Sequence, residues 1–243
     1  MTDGLLLIHA FPLDASMWEL QLQAFRDRLT VVAPHLPGFG GTAGSDVMTM
    51  ASAAQRTEDA LDEAGIDRAV VVGLSMGGYV AFELWRRSRN RFAGLVLANT
   101  KAGADDEAGK ERRRALAERL RAEGNGFLVE QPPPLLSEST SPELRDHVKG
   151  IIAAQPAEAI AAASLGMAER PDSTPDLPGI DVPTMVITSS GDTLIPPEAT
   201  TPMADQIPGA RLEVIEGAGH LSNLEASEEF NRLLEEHLER CGL

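Results

Sequence analysis

Val70-Val71-Val72-Gly73-Leu74-Ser75-Met76-Gly77-Gly78-Tyr79 is the stretch that decides the fold. A β-branched run drives into Gly-x-Ser-x-Gly, and a helix-compatible stretch follows at once. A serine at such a strand-to-helix turn has its hydroxyl pushed above the sheet edge. The free N–H groups and positive dipole end of the helix lie behind it. Gly73 and Gly77 suit so sharp a turn, because side chains there would collide with neighbouring backbone. The pattern alone is short and recurs by chance. Its weight depends on the strand before it, the helix after it, and partners supplied elsewhere in the chain.

Outward from this turn, short apolar runs alternate with helical patterns. Leu5-Leu6-Leu7-Ile8 reads as a strand buried on both faces, and Pro12 stops it from continuing past His9-Ala10-Phe11. Ser16 is positioned to cap a helix carrying Trp18, Leu22, Phe25 and Leu29 at helical spacing. A strand over 30–33 runs into the turn-rich Pro34-His35-Leu36-Pro37-Gly38-Phe39-Gly40-Gly41. Thr49 can cap the next helix and Gly65 end it. Further strands are expected over 69–72, 92–98, 184–188 and 211–215, with helices over 198–206 and 226–240. This alternation predicts a parallel sheet covered by helices on both faces.

The alternation breaks over residues 101–178. A charged helical stretch over 105–123 has only Ala115, Leu116 and Leu120 as an apolar stripe, and Gln131-Pro132-Pro133-Pro134 forces an extended break. Helical patterns over 141–154 and 156–169 precede a proline-rich loop over 170–178. That is too much helix for one crossover, so the segment is expected to be a helical cap inserted into a single domain spanning 1–243.

At 243 residues with 43% hydrophobic content, the chain is long enough for one sizeable α/β domain. A net charge of −16 argues against nucleic acid or an anionic membrane as partner. The lone Cys241 permits no internal disulfide. No basic segment backed by an apolar stretch opens the sequence and no run reaches membrane-spanning length, which predicts a cytoplasmic protein.

A serine hydroxyl is a weak nucleophile at neutral pH and needs a base to take its proton. The base in turn needs a group to hold its tautomer. Functional loops of open parallel sheets gather at the carboxyl ends of the strands. There lie the loop 9–12, Ser75, Asp192 and His220, with Ser, Asp and His in the chain order of an α/β-hydrolase. Ser75 is the expected nucleophile, His220 the base and Asp192 the orienting acid. Glu216 is the chief rival for the acid, ahead of Asp205 and Asp181. Asp192 is preferred because its loop directly follows a buried strand.

His9-Ala10-Phe11-Pro12, Leu36-Pro37-Gly38-Phe39-Gly40, Gly73-Leu74-Ser75-Met76-Gly77-Gly78, Gly191-Asp192 and Gly217-Ala218-Gly219-His220 together resemble the α/β-hydrolase superfamily. Within it they are similar to the small esterase and lactonase branch that includes 3-oxoadipate enol-lactonase-like proteins. The resemblance implies an oxyanion hole formed by the backbone N–H groups of Phe11 and Met76. It departs from the family at Ala10, where glycine is usual, and in lacking the two leading strands. The expected sheet is therefore shortened to about six mostly parallel strands, with 30–33 as an outer strand that must be covered, bulged or paired with another subunit.

Phe11, Met76, Phe127, Leu128, Met167, Leu194 and Leu221 are candidates to line the substrate pocket, although each also suits a core. Arg170 is a candidate anion contact. His9 reads as a structural histidine, His35 as a support for its turn, and His147 and His237 as solvated. The histidines show no metal-ligand spacing, and Gly38-Phe39-Gly40-Gly41 lacks the Lys and Ser/Thr of a phosphate loop. Neither cofactor nor metal is called for. The expected substrate is a small hydrophobic ester or lactone, cleaved through an acyl-serine. The alternatives are an enol-lactone hydrolase specialised for a catabolic intermediate, a carbon–carbon bond hydrolase, a cofactor-free perhydrolase, and a ligand-sensing protein on the same fold.

Overall fold

The computed structural model describes residues 2–243. Each apolar run forms its strand: β1 (Asp3–Ile8), β2 (Thr30–Val32), β3 (Arg68–Leu74), β4 (Phe92–Ala98), β5 (Thr184–Ser189) and β6 (Arg211–Ile215). They make one six-stranded sheet in the order β2-β1-β3-β4-β5-β6, and every pairing is parallel. Leu5 to Ile8, Val70 to Val72 and Leu95 to Ala98 are wholly buried. Burying each Leu, Ile or Val side chain of these runs stabilises by about 1.5–3 kcal/mol, which is why continuous apolar runs settle in a sheet covered on both faces. β2 is the edge strand and stops at Val32, because Pro34 cannot extend the ladder.

The covering helices are α1 (Glu19–Phe25), α2 (Met50–Glu63), α3 (Met76–Arg87) and α11 (Ser227–Arg240). The Thr49 hydroxyl caps α2 by accepting from Ser52 N at 3.0 Å. Asp14, not Ser16, caps the first helical segment. Its carboxylate accepts from Ser16 N at 3.0 Å and opens a 3-10 turn over Ala15–Trp18 ahead of α1. Ser16 spends its own hydroxyl on the same carboxylate and so caps nothing.

Between β4 and β5 the described residues contain no strand. They form α4 (Glu107–Glu123), α5 (Gly126–Glu130), α6 (Pro142–Ala154) and α7 (Ala157–Ala168), then a 3-10 turn over Thr174–Gly179. Asp106 caps α4 and Ser141 caps α6. α7 lies along α4, tied by Ser164 Oγ donating to Arg113 O at 3.0 Å. The stretch expected as one helix over 198–206 is two, α8 (Pro197–Thr200) and α9 (Pro202–Gln206), because Pro202 restarts the helix. A short α10 (Ser222–Glu225) precedes α11. Among the described residues no single helix is long and apolar enough to cross a membrane.

His237 is not solvated. It lies seven residues after Phe230, on the apolar stripe of α11 with Leu233, Leu234 and Leu238, and is fully buried. Burial, helped by the positive charges of Arg240 and Arg211, lowers its pKa to about 4. Burial lowers that of His9 to about 4 as well. The unfolded chain then binds more protons between about pH 4 and the ordinary histidine value near 6.5. Stability is therefore expected to fall as pH drops through that window, and these two groups add no further loss below it. Thermal unfolding at a series of pH values checks this, and His237→Leu should flatten the slope.

Candidate active site

The sheet order reverses at β1, which pairs with β2 on one side and β3 on the other. The crevice outside the carboxyl ends of β1 and β3 is where an open parallel sheet leaves room for a ligand. Ser75 directly follows β3 there and Phe11 lies in the loop after β1.

Ser75 sits at φ 56°, ψ −115°, in the left-handed half of backbone space, as the residue that opens α3. A serine there normally caps its helix with its hydroxyl, but this one makes no side-chain cap bond. The hydroxyl is left for other work. The strained turn is over-determined by its surroundings. Ser75 N donates to Ala98 O at 2.9 Å, and Ser75 O accepts from Gly78 N at 2.9 Å and from Thr100 Oγ1 at 2.7 Å.

Close approach explains the flanking glycines. A Cβ on Gly77 would stand 2.1 Å from Ile8 O, and one on Gly73 2.4 Å from Gly77 O. Both obstacles are backbone and cannot swing aside. Gly77→Ala is expected to destabilise the fold by about 3 kcal/mol, read as a lowered thermal midpoint, and to slow any serine-dependent reaction in the same sample.

Asp192 follows β5 and His220 follows β6, and the structure brings the two together. His220 Nδ1 lies 2.8 Å from Asp192 Oδ2, with both side chains fully buried. The other Asp192 oxygen accepts from Leu194 N and Ile195 N, each at 2.9 Å. With two amides on one oxygen, the carboxylate can turn only its second oxygen to the imidazole. Among the described residues His220 Nε2 is buried with no hydrogen-bond partner, so no bond to Ser75 Oγ is formed here. Glu216, Asp205 and Asp181 are all exposed.

Asn99, which the sequence does not single out, completes the setting of Asp192. It is fully buried at φ 45°, and its Nδ2 donates to Asp192 Oδ2 and to Ser189 Oγ, each at 3.0 Å. Its Oδ1 accepts from Ser222 Oγ at 2.7 Å. An asparagine at the end of β4, one strand from the serine turn, was the available signal. The Phe11 and Met76 amides make no hydrogen bonds among the described residues. His9 holds its loop by accepting from Leu36 N through Nε2 at 3.1 Å.

A cavity of about 650 Å³ opens over Ser75. Phe11, Phe127, Leu128, Met167 and Leu194 line it, together with Tyr79 and Leu135. The side chains of Met76 and Leu221 do not, since both are wholly buried in the core beneath. Charges also reach this cavity. Lys101, Arg112, Arg113 and Arg119 line it against Asp105 and Glu130, so α4 turns one charged side to the site and not only to solvent. Arg170 is no free anion contact. Its side chain is 2% exposed, pairs with Asp105 at 2.9 Å and stacks over the Tyr79 ring at 4.1 Å. Burial alone would raise the Asp105 pKa, but hydrogen bonds from Arg170 and Arg113 hold it well below the usual carboxylate range.

The alpha/beta hydrolase family matches residues 5–233. A thermophilic esterase from Thermogutta terrifontis, solved with malate bound, is 41% identical over 99% of this chain and 92% of that one, with a TM-score of 0.94. The enol-lactonase from Burkholderia xenovorans is 25% identical over 98% of this chain and 92% of its own, with a TM-score of 0.88. The 3-oxoadipate enol-lactonase 1 of Acinetobacter baylyi is 30% identical over 221 residues, 89% of this chain and 81% of the relative.

Proposed function

The chain belongs to the alpha/beta hydrolase family, in its branch of esterases and lactonases, and we propose that it cleaves carboxylic esters or lactones through an acyl-serine. Ser75 Oγ attacks the carbonyl carbon as its proton passes to His220 Nε2. The Asp192 carboxylate keeps the other imidazole nitrogen protonated and steadies the imidazolium. The Phe11 and Met76 amides receive the negative oxygen of the tetrahedral intermediate, commonly the largest single contribution to such catalysis. On collapse, the acyl–oxygen bond breaks and His220 returns the proton to the departing alcohol oxygen. In a lactone that alcohol stays attached as a hydroxyl. Water, deprotonated by His220, then attacks the acyl-serine; the bond from the acyl carbon to Ser75 Oγ breaks, His220 returns the proton to Oγ, and the acid is released.

One observation carries this reading: the buried 2.8 Å bond from His220 to Asp192, with His220 Nε2 unpartnered at the strand edge that bears an uncapped serine. Residues 101–178 serve as the cap, since α4 and α5 roof the cavity over Ser75. A fluorophosphonate should label Ser75, and p-nitrophenyl acetate should turn over many times per protein. One burst without turnover would favour a ligand sensor instead.

A second reading concerns the substrate. Lys101, Arg112, Arg113 and Arg119 line the cavity of a chain whose net charge is −16; Lys101 and Arg113 pair with Asp105 and Arg119 with Glu123, which leaves Arg112, among the described residues, without a carboxylate partner. This favours an ester or lactone that carries a carboxylate away from the scissile bond, in line with the enol-lactonase relatives. A p-nitrophenyl hemisuccinate should then have a higher kcat/KM than the butyrate ester of similar length, and Arg112→Ala should narrow the gap. Equal values for the two esters would remove this preference.

A further inference from the structure

The loop bearing His220 is not held by the sheet alone. Gly219 N donates to Glu225 Oε1 at 2.8 Å. The same carboxylate accepts from Ser137 N, at 3.0 Å to Oε2 and 3.2 Å to Oε1, and from the Thr140 hydroxyl. Ser137 and Thr140 belong to the cap segment between α5 and α6, far from this loop in sequence. On the other side of the histidine, Leu221 N donates to Leu135 O at 3.0 Å. The fit is close: a Cβ on Gly219 would lie 2.5 Å from Ser137 N and 2.8 Å from Leu136 C.

The backbone on both sides of His220 is therefore fastened to one stretch of the cap, 135–140. Asp192 restrains the ring through Nδ1, and the backbone sets where the side chain starts, so both fix where Nε2 stands relative to Ser75. We propose that Glu225 is a positioning residue for the general base. Its carboxylate rivets the histidine loop to the cap segment 135–140, making this part of the cap a fixed mount for the catalytic machinery. Leu135 lines the cavity from that mount, so the substrate meets the same segment that holds the base. The inference rests on the reading of His220 as the base. A carboxylate suits this role because it accepts from several N–H and O–H donors at once, whereas an amide offers a single acceptor oxygen.

A histidine loosened by about 1 Å can lose on the order of 10²-fold in rate, and substrate binding need not change. The test compares Glu225→Ala, Glu225→Gln and Thr140→Val with the parent protein and with His220→Ala. The readouts are kcat and KM for p-nitrophenyl acetate, the rate of fluorophosphonate labelling of Ser75, and the thermal midpoint. Glu225→Ala should lose about 10- to 100-fold in both kcat and labelling rate with KM nearly unchanged. Glu225→Gln should recover part of the loss, and Thr140→Val should fall between Glu225→Gln and the parent. A Glu225→Ala protein that melts lower but keeps its kcat and labelling rate, beside an inactive His220→Ala, would overturn the positioning role alone. Full labelling and turnover in His220→Ala would overturn it together with the reading of the base.

Discussion

Ser75→Ala is expected to cut hydrolysis of p-nitrophenyl acetate by at least about 10⁴-fold while leaving the fold intact. The hydroxyl carries no structural hydrogen bond in the resting protein. It makes no cap bond to α3, and the bonds that hold the turn are made by the Ser75 backbone N–H and C=O. Removing Oγ therefore breaks no structural hydrogen bond. Alanine also costs little more than serine at φ 56°, since both carry a Cβ there. The thermal midpoint should stay close to that of the parent while fluorophosphonate labelling disappears. The Phe11 and Met76 amides and the pocket remain, so a residual rate well below the parent's is compatible with the reading. A variant with full turnover would remove Ser75 from the mechanism.

How much of this was legible in the sequence depended on the range of the forces involved. The strands were legible because a continuous aliphatic run such as Leu5 to Ile8 has few fates other than a strand buried on both faces. The serine turn was legible because backbone crowding at Gly73 and Gly77 leaves a compositional mark. Asp192 and His220 were legible through position, each in the loop after a strand, although their 2.8 Å bond is a tertiary fact.

What escaped were residues whose roles come from distant partners. Asn99 looks like any loop asparagine until Asp192, Ser189 and Ser222 close around it. Glu225 sits in a charged stretch and acquires meaning only from Ser137 and Gly219. Arg170 read as available because its partner, Asp105, stands 65 residues away. His237 was misplaced for a different reason. Its polarity outweighed its spacing from Phe230, although the spacing sets which face of α11 it takes.

Asp192→Asn is expected to slow turnover by about 10⁴-fold, a loss of the size seen when an orienting acid becomes its amide, whereas Glu216→Gln should leave it unchanged. The asymmetry follows from the hydrogen bonds around position 192. One oxygen accepts from Leu194 N and Ile195 N at 2.9 Å, so the asparagine carbonyl is held there and the new NH₂ takes the place of Oδ2. That NH₂ would face His220 Nδ1 and the Asn99 Nδ2 group, both donors to Oδ2 in the parent. To meet a donor, His220 must move its proton to Nε2, leaving no lone pair to take the proton of Ser75. Donor against donor at Asn99 adds a buried mismatch, so a modest fall in thermal midpoint should accompany the loss. Fluorophosphonate labelling, which also needs the base, should slow with turnover, and KM should change little. Glu216 is exposed just past the end of β6 and takes no part in the bond between His220 and Asp192. If Glu216→Gln proved the crippled variant and Asp192→Asn the active one, the acid would have been assigned to the wrong carboxylate.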